Sequence, residues 1–343
     1  MSALAEHTVA QELPSAPFSA AALVIDAEQE ARRIADTIRE QVLRRMRRRG
    51  VVLGLSGGID SSVTAALCAQ ALGPTGVLAV LMPEQDSDGD SLRLGRLLAA
   101  QLGIPCVLED IGPTLAAAGC YARRDDFIRR LVPDYAAGWG CKVVISNALE
   151  SEAYTITSLV VQSPDGHQQK LRMPIDVYRG IVAATNMKQR TRKQLEYYHA
   201  DRLNYAVAGT PNKLEYDQGF FVKNGDGAAD FKPIAHLYKS QVYQLAEALG
   251  VPAEICARPP TTDTWSMAQT QEEFYFALPY AQMDLCLYGL ENDIPAEEVA
   301  RAADLTEEQV SLVWRDIAAK RKATRYLHEP PLLISDDDIG RVA

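Results

Sequence analysis

Cysteine is scarce and never clustered: six residues, at positions 68, 106, 120, 141, 256 and 286, with no CxxC pair. That spacing excludes a zinc ribbon or a disulfide framework and suits reduced thiols in a cytoplasmic protein. Long hydrophobic runs are missing too. The longest are of strand length, so neither a leader nor a membrane span is expected. Positive charge is in deficit, with 35 Lys and Arg against 45 Asp and Glu for a net charge of −10, which argues against a nucleic-acid partner. The chain has neither a Walker lysine motif nor a GxGxxG turn, so the P-loop and the common dinucleotide fold both drop out. What is present, 47% hydrophobic and 23% charged residues over 343 positions, suits one large domain or two modest ones with a substantial core.

The most informative stretch is VVLGLSGGIDSS, residues 51–62. Val51, Val52, Leu53 and Leu55 form a short strand-type run, and a glycine turn follows. Val63, Ala66, Leu67 and Leu72 then fall at helical spacing up to Gly73. A strand that breaks into such a turn and opens a helix gathers free backbone N–H groups and the positive end of the helix dipole, which attracts phosphate. Gly57 and Gly58 allow close approach of an anion, and Ser56, Ser61 and Ser62 add donors. Asp60 is a carboxylate where a phosphate-bound Mg²⁺ would need a ligand.

Residues 1–18 read as a loose tail, and an amphipathic helix is expected over 21–49. Strands at 77–82 and 105–108, with a helix between them, predict an α/β fold: a doubly wound parallel sheet with right-handed crossovers. Its ligands belong at the carboxyl ends of the strands. The loop 84–90 is expected to be solvated near the nucleotide, and 111–185 reads as an atypical insertion. Within it, Ser163-Pro164-Asp165-Gly166 predicts a hairpin with His167 at its exposed tip. Arg123, Arg124, Asp125, Asp126, Arg129 and Arg130 are expected on a solvated helix face.

A helix is expected from Asn186, then a strand over 204–209. Phe220 and Phe221 suit a core, and Asp226 and Asp230 suit turns. Lys239 opens another helix. Residues 291–343 predict two helices extending the 19–290 domain, one of them opened by a capping box at Thr306. A helix-turn-helix reader is disfavoured by the overall charge.

SGGIDSS resembles the SGGxDS loop of the N-type ATP pyrophosphatases, of the adenine nucleotide alpha hydrolase-like type, which split ATP between the α and β phosphates. The later stretches NMKQRTR, AGTPNKLE, GFFVKNGDGAAD, KPIAHLYKSQ and RPPTTD resemble the NAD⁺ synthetase family, in family order. That family amidates deamido-NAD (nicotinic acid adenine dinucleotide) with ATP, through an acyl-adenylate. The resemblance implies ATP-binding roles for Gly54, Ser56, Gly57, Gly58, Asp60, Ser61, Ser62, Arg190, Thr210, Lys239 and Thr261. It implies Mg²⁺ ligation by Asp60 and Glu215. Deamido-NAD contacts would come from Asn186, Arg190, Phe220, Lys223, Asp226, Asp230 and Lys320, with Phe220 covering the pyridine ring. Asp60, Lys239 and Asp226 are the implied catalytic residues, Asp226 as a proton acceptor for ammonia.

Three departures fall on the acid side: the insertion, the loop LMPEQDSD, and Ala319-Lys320 where the family often has His-Lys. They leave open a sister ligase that adenylates another carboxylic acid. A catalytically silent nucleotide-binding module and a tRNA-modifying relative are disfavoured. No glutamine-hydrolysing domain is read, so free ammonia, or ammonia from a separate amidase, is the expected nitrogen source. The resemblance also implies a homodimer, with the first helix and the hairpin as candidate contact surfaces.

Overall fold

The computed structural model describes residues 17–145, 157–262, 264–276 and 278–334. After a helix α1 (Ala27–Arg39), continued by a wider turn over Glu40–Arg45, come β1 (Val51–Gly54), α2 (Ile59–Leu72), β2 (Val77–Leu81), α3 (Gly89–Leu102) and β3 (Cys106–Leu108). The region 111–185 supplies α4 (Gly112–Ala117), α5 (Cys120–Arg129), β4 (Gly140–Ile145), β5 (Thr157–Gln162) and β6 (Gln168–Arg172). The long α6 (Ile175–Leu203) leads to β7 (Ala206–Val207), α7 (Lys213–Gln218), α8 (Lys239–Ala248) and α9 (Ala253–Ala257). Helices α10 (Tyr280–Glu291), α11 (Ala296–Ala303) and α12 (Glu307–His328) follow.

The four central strands lie in the order β3-β2-β1-β7, all parallel, with Val51 opposite both Val77 and Ala206. Both faces are covered, as parallel sheets require. Val51, Leu53, Val77, Ala79 and Leu81 pack in one cluster with α1, α2 and α8. Val52, Leu78 and Val80 turn the other way, against Ile111, Leu115 and Ala200. The doubly wound α/β class is therefore observed. Among the described residues no helix is long and apolar enough to cross a membrane.

The hairpin forms as expected, antiparallel, with Leu159 opposite Leu171 and His167 exposed at its tip. It belongs to a three-stranded sheet, because β4, whose glycine start and mixed polarity gave no strand signal, pairs with β5. The helix predicted from Asn186 begins at Ile175, since Pro174 rather than a later cap starts it. The first helix begins at Ala27, not near Ala21, capped by Asp26 onto Gln29 N. Thr306 and Gln309 form the expected capping box.

The charged face of α5 is not uniformly solvated. Arg124 is buried, its Nη1 donating to Asp86 Oδ2 at 2.5 Å and its Nε to Asp125 Oδ1 at 2.9 Å. Nor is the loop 84–90 simply solvated: Glu84 and Asp86 are buried around Lys188 Nζ at 3.0 and 2.6 Å. Buried charges must be paired, and here each side supplies the other's partner.

Candidate active site

The sheet reverses its winding between β1 and β7, and a crevice forms beyond the carboxyl ends of strands that flank such a point. A cavity of about 720 Å³ lies there, lined by the turn after β1, by Thr210 and Pro211 after β7, and by the loop after β2. Gly57 has φ +72°, and a Cβ on it would sit 2.6 Å from the Ser91 carbonyl, so only glycine holds this turn beside α3. Ser61 Oγ donates to the Gly58 carbonyl at 3.0 Å and lies 3.1 Å from Ser56 Oγ, which accepts from Gly58 N. Ser62 Oγ donates to the same carbonyl at 2.8 Å from a buried position. Gly54, Ser56, Gly58, Asp60 and Ser61 line the cavity, whereas Gly57 and Ser62 brace the turn from behind.

Asp60, in the first turn of α2, is held from two sides. Lys239 Nζ donates to its Oδ2 at 2.5 Å, and Asn212 Nδ2 donates to Oδ1 at 3.0 Å. Asn212 also caps α7, accepting from Glu215 N at 3.1 Å, while Glu215 Oε2 accepts from Asn212 N at 3.1 Å. That capping box fixes Glu215 at the cavity wall. Burial and the charge of Asp60 push the Glu215 carboxyl up to about 8. Lys239 is fully buried behind the wall. Burial works against its charge, but Asp60 and Glu215 hold its ammonium above the usual lysine range.

Farther along the cavity, Phe220 stacks on Tyr275 with ring centres 4.6 Å apart. Asn186, Arg190, Lys223, Asp226, Thr261 and Lys320 line the same space. Arg190 Nε donates to the Lys223 carbonyl at 3.2 Å, and Lys223 Nζ to the Tyr326 carbonyl at 2.6 Å. Asp226 Oδ1 accepts from Val222 N at 2.9 Å, and burial raises its carboxyl pKa. Lys320 Nζ bonds the Tyr275 carbonyl and Asp316, both at 2.7 Å, and burial lowers its pKa. Asp230 sits off the cavity, accepting from Val207 N at 2.7 Å and Tyr197 at 3.3 Å, which ties the 219–231 loop to β7.

Some site residues had no signal in the sequence reading. Lys193 and Glu196 form a buried pair at 2.6 Å on the cavity wall, and Glu196 crowds Gly54 so closely that a Cβ there would meet Oε1 at 2.9 Å. Their i,i+3 spacing was visible, but solvated helix pairs share it. Arg258 also lines the cavity, donating to Asp88 and Ser91, both at 3.0 Å. Asp263, the last residue of RPPTTD, lies outside the described residues.

A lysine-free glycine turn on a doubly wound sheet, facing two carboxylates and a buried lysine, defines a nucleotide-binding α/β enzyme. A sequence profile described as NAD synthase matches residues 30–129 and 141–331, and the chain belongs to that family. It is 68% identical to the NH(3)-dependent NAD(+) synthetase of Rhizobium meliloti over 92% of this chain and 95% of that protein. It is 66% identical to the enzyme of the same name from Rhizobium rhizogenes, over 92% and 96%. The solved NH3-dependent NAD synthetase of Campylobacter jejuni matches at 25% identity with TM-score 0.58, over 91% of this chain and 100% of that one. The chain is accordingly a ligase that amidates deamido-NAD to NAD⁺ with ATP.

Proposed function

We propose that the glycine turn, Asp60, Glu215 and Lys239 activate the deamido-NAD carboxylate as an acyl-adenylate, which free ammonia then converts to the amide. A carboxylate does not react with ammonia directly because its leaving group would be oxide. One carboxylate oxygen attacks the α-phosphorus of ATP, forming the mixed anhydride with AMP and releasing pyrophosphate. Ammonia attacks the acyl carbon, loses a proton to Asp226, and displaces AMP. The Ser56–Ser61 turn, with Thr210 and Thr261, would cradle the phosphates. Lys239 would offset the charge that builds on them as the bond to pyrophosphate breaks. Phe220, Asn186, Arg190, Lys223 and Lys320 would hold the acid so that its carboxylate faces the α-phosphorus. Such positioning can supply about 7–11 kcal/mol of the barrier.

The observation that carries this reading is the meeting of Asp60, Asn212, Lys239 and Glu215 at the strand ends. The same group fits a divalent cation. Asp60 and Glu215 are two hard oxygen donors on neighbouring turns, and burial followed by the Asp60 charge raises the proton affinity of Glu215. Asp60 and Glu215 would hold Mg²⁺, which when bound supplies charge stabilisation to the departing pyrophosphate. Ammonia as the nitrogen donor follows the relatives named for it. A cytoplasmic location suits the six free cysteines.

A homodimer is part of the reading by family likeness; α1 uses its apolar stripe against α2 and α8, so only its charged outer face is left for a partner. The test is purified protein with ATP, Mg²⁺, ammonium and deamido-NAD, following AMP, pyrophosphate and NAD⁺. Equal amounts of the three support the reading; ATP turnover without NAD⁺ contradicts it.

A further inference from the structure

The three-stranded sheet does more than decorate the fold: Val143 and Ile145 of β4 and Thr157 of β5 line the active-site cavity, with Tyr178 at the start of α6. The segment 265–269 is sewn along β4. Ser266 Oγ accepts from Cys141 N at 2.9 Å, and Gln269 Nε2 donates to the Val143 carbonyl. Trp265 thereby sits in the core packed under this sheet, only 5% exposed, and lines the same cavity. Its indole N–H has no hydrogen-bond partner among the described residues. Buried donors in native proteins are almost always paired, and this one belongs to a residue of the cavity wall, where a bound ligand can supply the acceptor.

The rings around it say which ligand. Phe274 lies 6.0 Å from Trp265 and 5.9 Å from Phe220, making a continuous aromatic run into the acid-binding end. With Phe220 over the pyridine and the carboxylate turned to the α-phosphorus, the glycosidic bond must lead elsewhere. We infer, resting on the reading above, that Trp265 is a specificity-determining contact whose indole N–H donates to a ribose or phosphate oxygen of deamido-NAD. The three-stranded sheet walls that part of the dinucleotide. It would thus read the sugar-phosphate portion of the acid substrate, and ATP would not touch it.

The test is Trp265→Phe in the full chain, which keeps an apolar ring and removes only the donor and its pyrrole edge. The dissociation constant and KM for deamido-NAD are expected to rise about three- to tenfold, the weight of one hydrogen bond. KM for ATP should stay near wild type, while the thermal midpoint falls modestly from the ring volume lost in the core. Unchanged deamido-NAD affinity, a rise confined to ATP, or a lowered midpoint with unchanged affinities would each overturn the assignment. Trp265→Ala should weaken deamido-NAD binding further than Trp265→Phe, and equal effects would overturn the role of the wall. Wild-type protein that makes no NAD⁺ from deamido-NAD would remove the underlying reading as well; an active wild type with an indifferent Trp265→Phe removes only this inference.

Discussion

Lys239 Nζ and Asp60 Oδ2 are 2.5 Å apart although 179 residues separate them in the chain. The contact joins the first turn of α8 to the first turn of α2. Asp284 of α10 secures the α8 end by accepting from Lys239 N at 3.2 Å and Ser240 N at 2.7 Å. The Lys239 ammonium also lies 5.1 Å from the ring centre of Tyr280. Lysine and carboxylate are thus preset, so in the proposed reaction little reorganisation would remain when the phosphates bind.

Removing that lysine leaves Asp60 and Glu215 as neighbouring carboxylates with their nearest cation gone. Lys239→Met is expected to lower kcat/KM by about 100- to 1,000-fold. Lys239→Arg should recover little, because a planar fork does not fit a fully enclosed ammonium site. Steady-state kinetics with circular dichroism on the same samples would separate lost chemistry from lost folding.

The Glu215 carboxyl, pushed up to about 8 from an ordinary 4.5, makes stability depend on pH, and the affinity for Mg²⁺ with it if Glu215 holds that ion as proposed. Between those values the folded, metal-free protein keeps a proton that the unfolded chain has lost. This group's contribution to stability is therefore full below about 4.5 and lost as pH rises through about 8. Mg²⁺ needs the ionised form, so its affinity is expected to climb with pH up to about 8 and to level off above it. Calorimetric titration with Mg²⁺ and a non-hydrolysable ATP analogue, across pH 6–9, should show up to about one proton released on binding at the acid end. Asp60→Asn should weaken Mg²⁺ binding by removing a proposed ligand, and should lower the Glu215 pKa only in part, because burial remains.

Gly57→Ala combines a positive φ with a Cβ 2.6 Å from the Ser91 carbonyl. The turn must open to accept it. A loss of about 1–3 kcal/mol in stability is expected, with a marked rise in KM for ATP and less change for deamido-NAD. Thermal denaturation and initial-rate kinetics check both.

Lys188 joins three segments, donating to Glu84 at 3.0 Å, Asp86 at 2.6 Å and the Thr264 carbonyl at 2.7 Å. Lys188→Met leaves two buried carboxylates held, among the described residues, by Arg124, Tyr121 and the Asp86 backbone N–H, with Arg124 as their remaining cation. A loss of about 3–5 kcal/mol is expected, measured by urea unfolding. Replacing an exposed pair such as Arg32–Glu28 should cost about 0–1 kcal/mol.

Much of this is legible in the amino-acid sequence. Short apolar runs separated by helical spacing gave the parallel sheet, and the glycine turn gave its ligand end. The hairpin followed from Pro164, Asp165 and Gly166. The sequence could not reveal which charges are buried. Arg124 sits among solvated-looking neighbours, and only its meeting with Asp86 across the fold makes it internal. Lys193 and Glu196 look like a routine surface pair until the cavity is found beside them. β4 was missed because its reason for being a strand, pairing with β5, lies outside its own residues. Trp265 was only one aromatic in a rich segment; its unsatisfied N–H is a property of the folded environment.

The most direct measurement follows an oxygen atom from the acid. Deamido-NAD labelled with heavy oxygen in its carboxylate is turned over with ATP and ammonium, and the products are separated by mass spectrometry. If the carboxylate attacks the α-phosphorus, one labelled oxygen per NAD⁺ formed is expected in the phosphate of AMP and none in pyrophosphate. Label in pyrophosphate, or in neither nucleotide product, would contradict adenylation at this site.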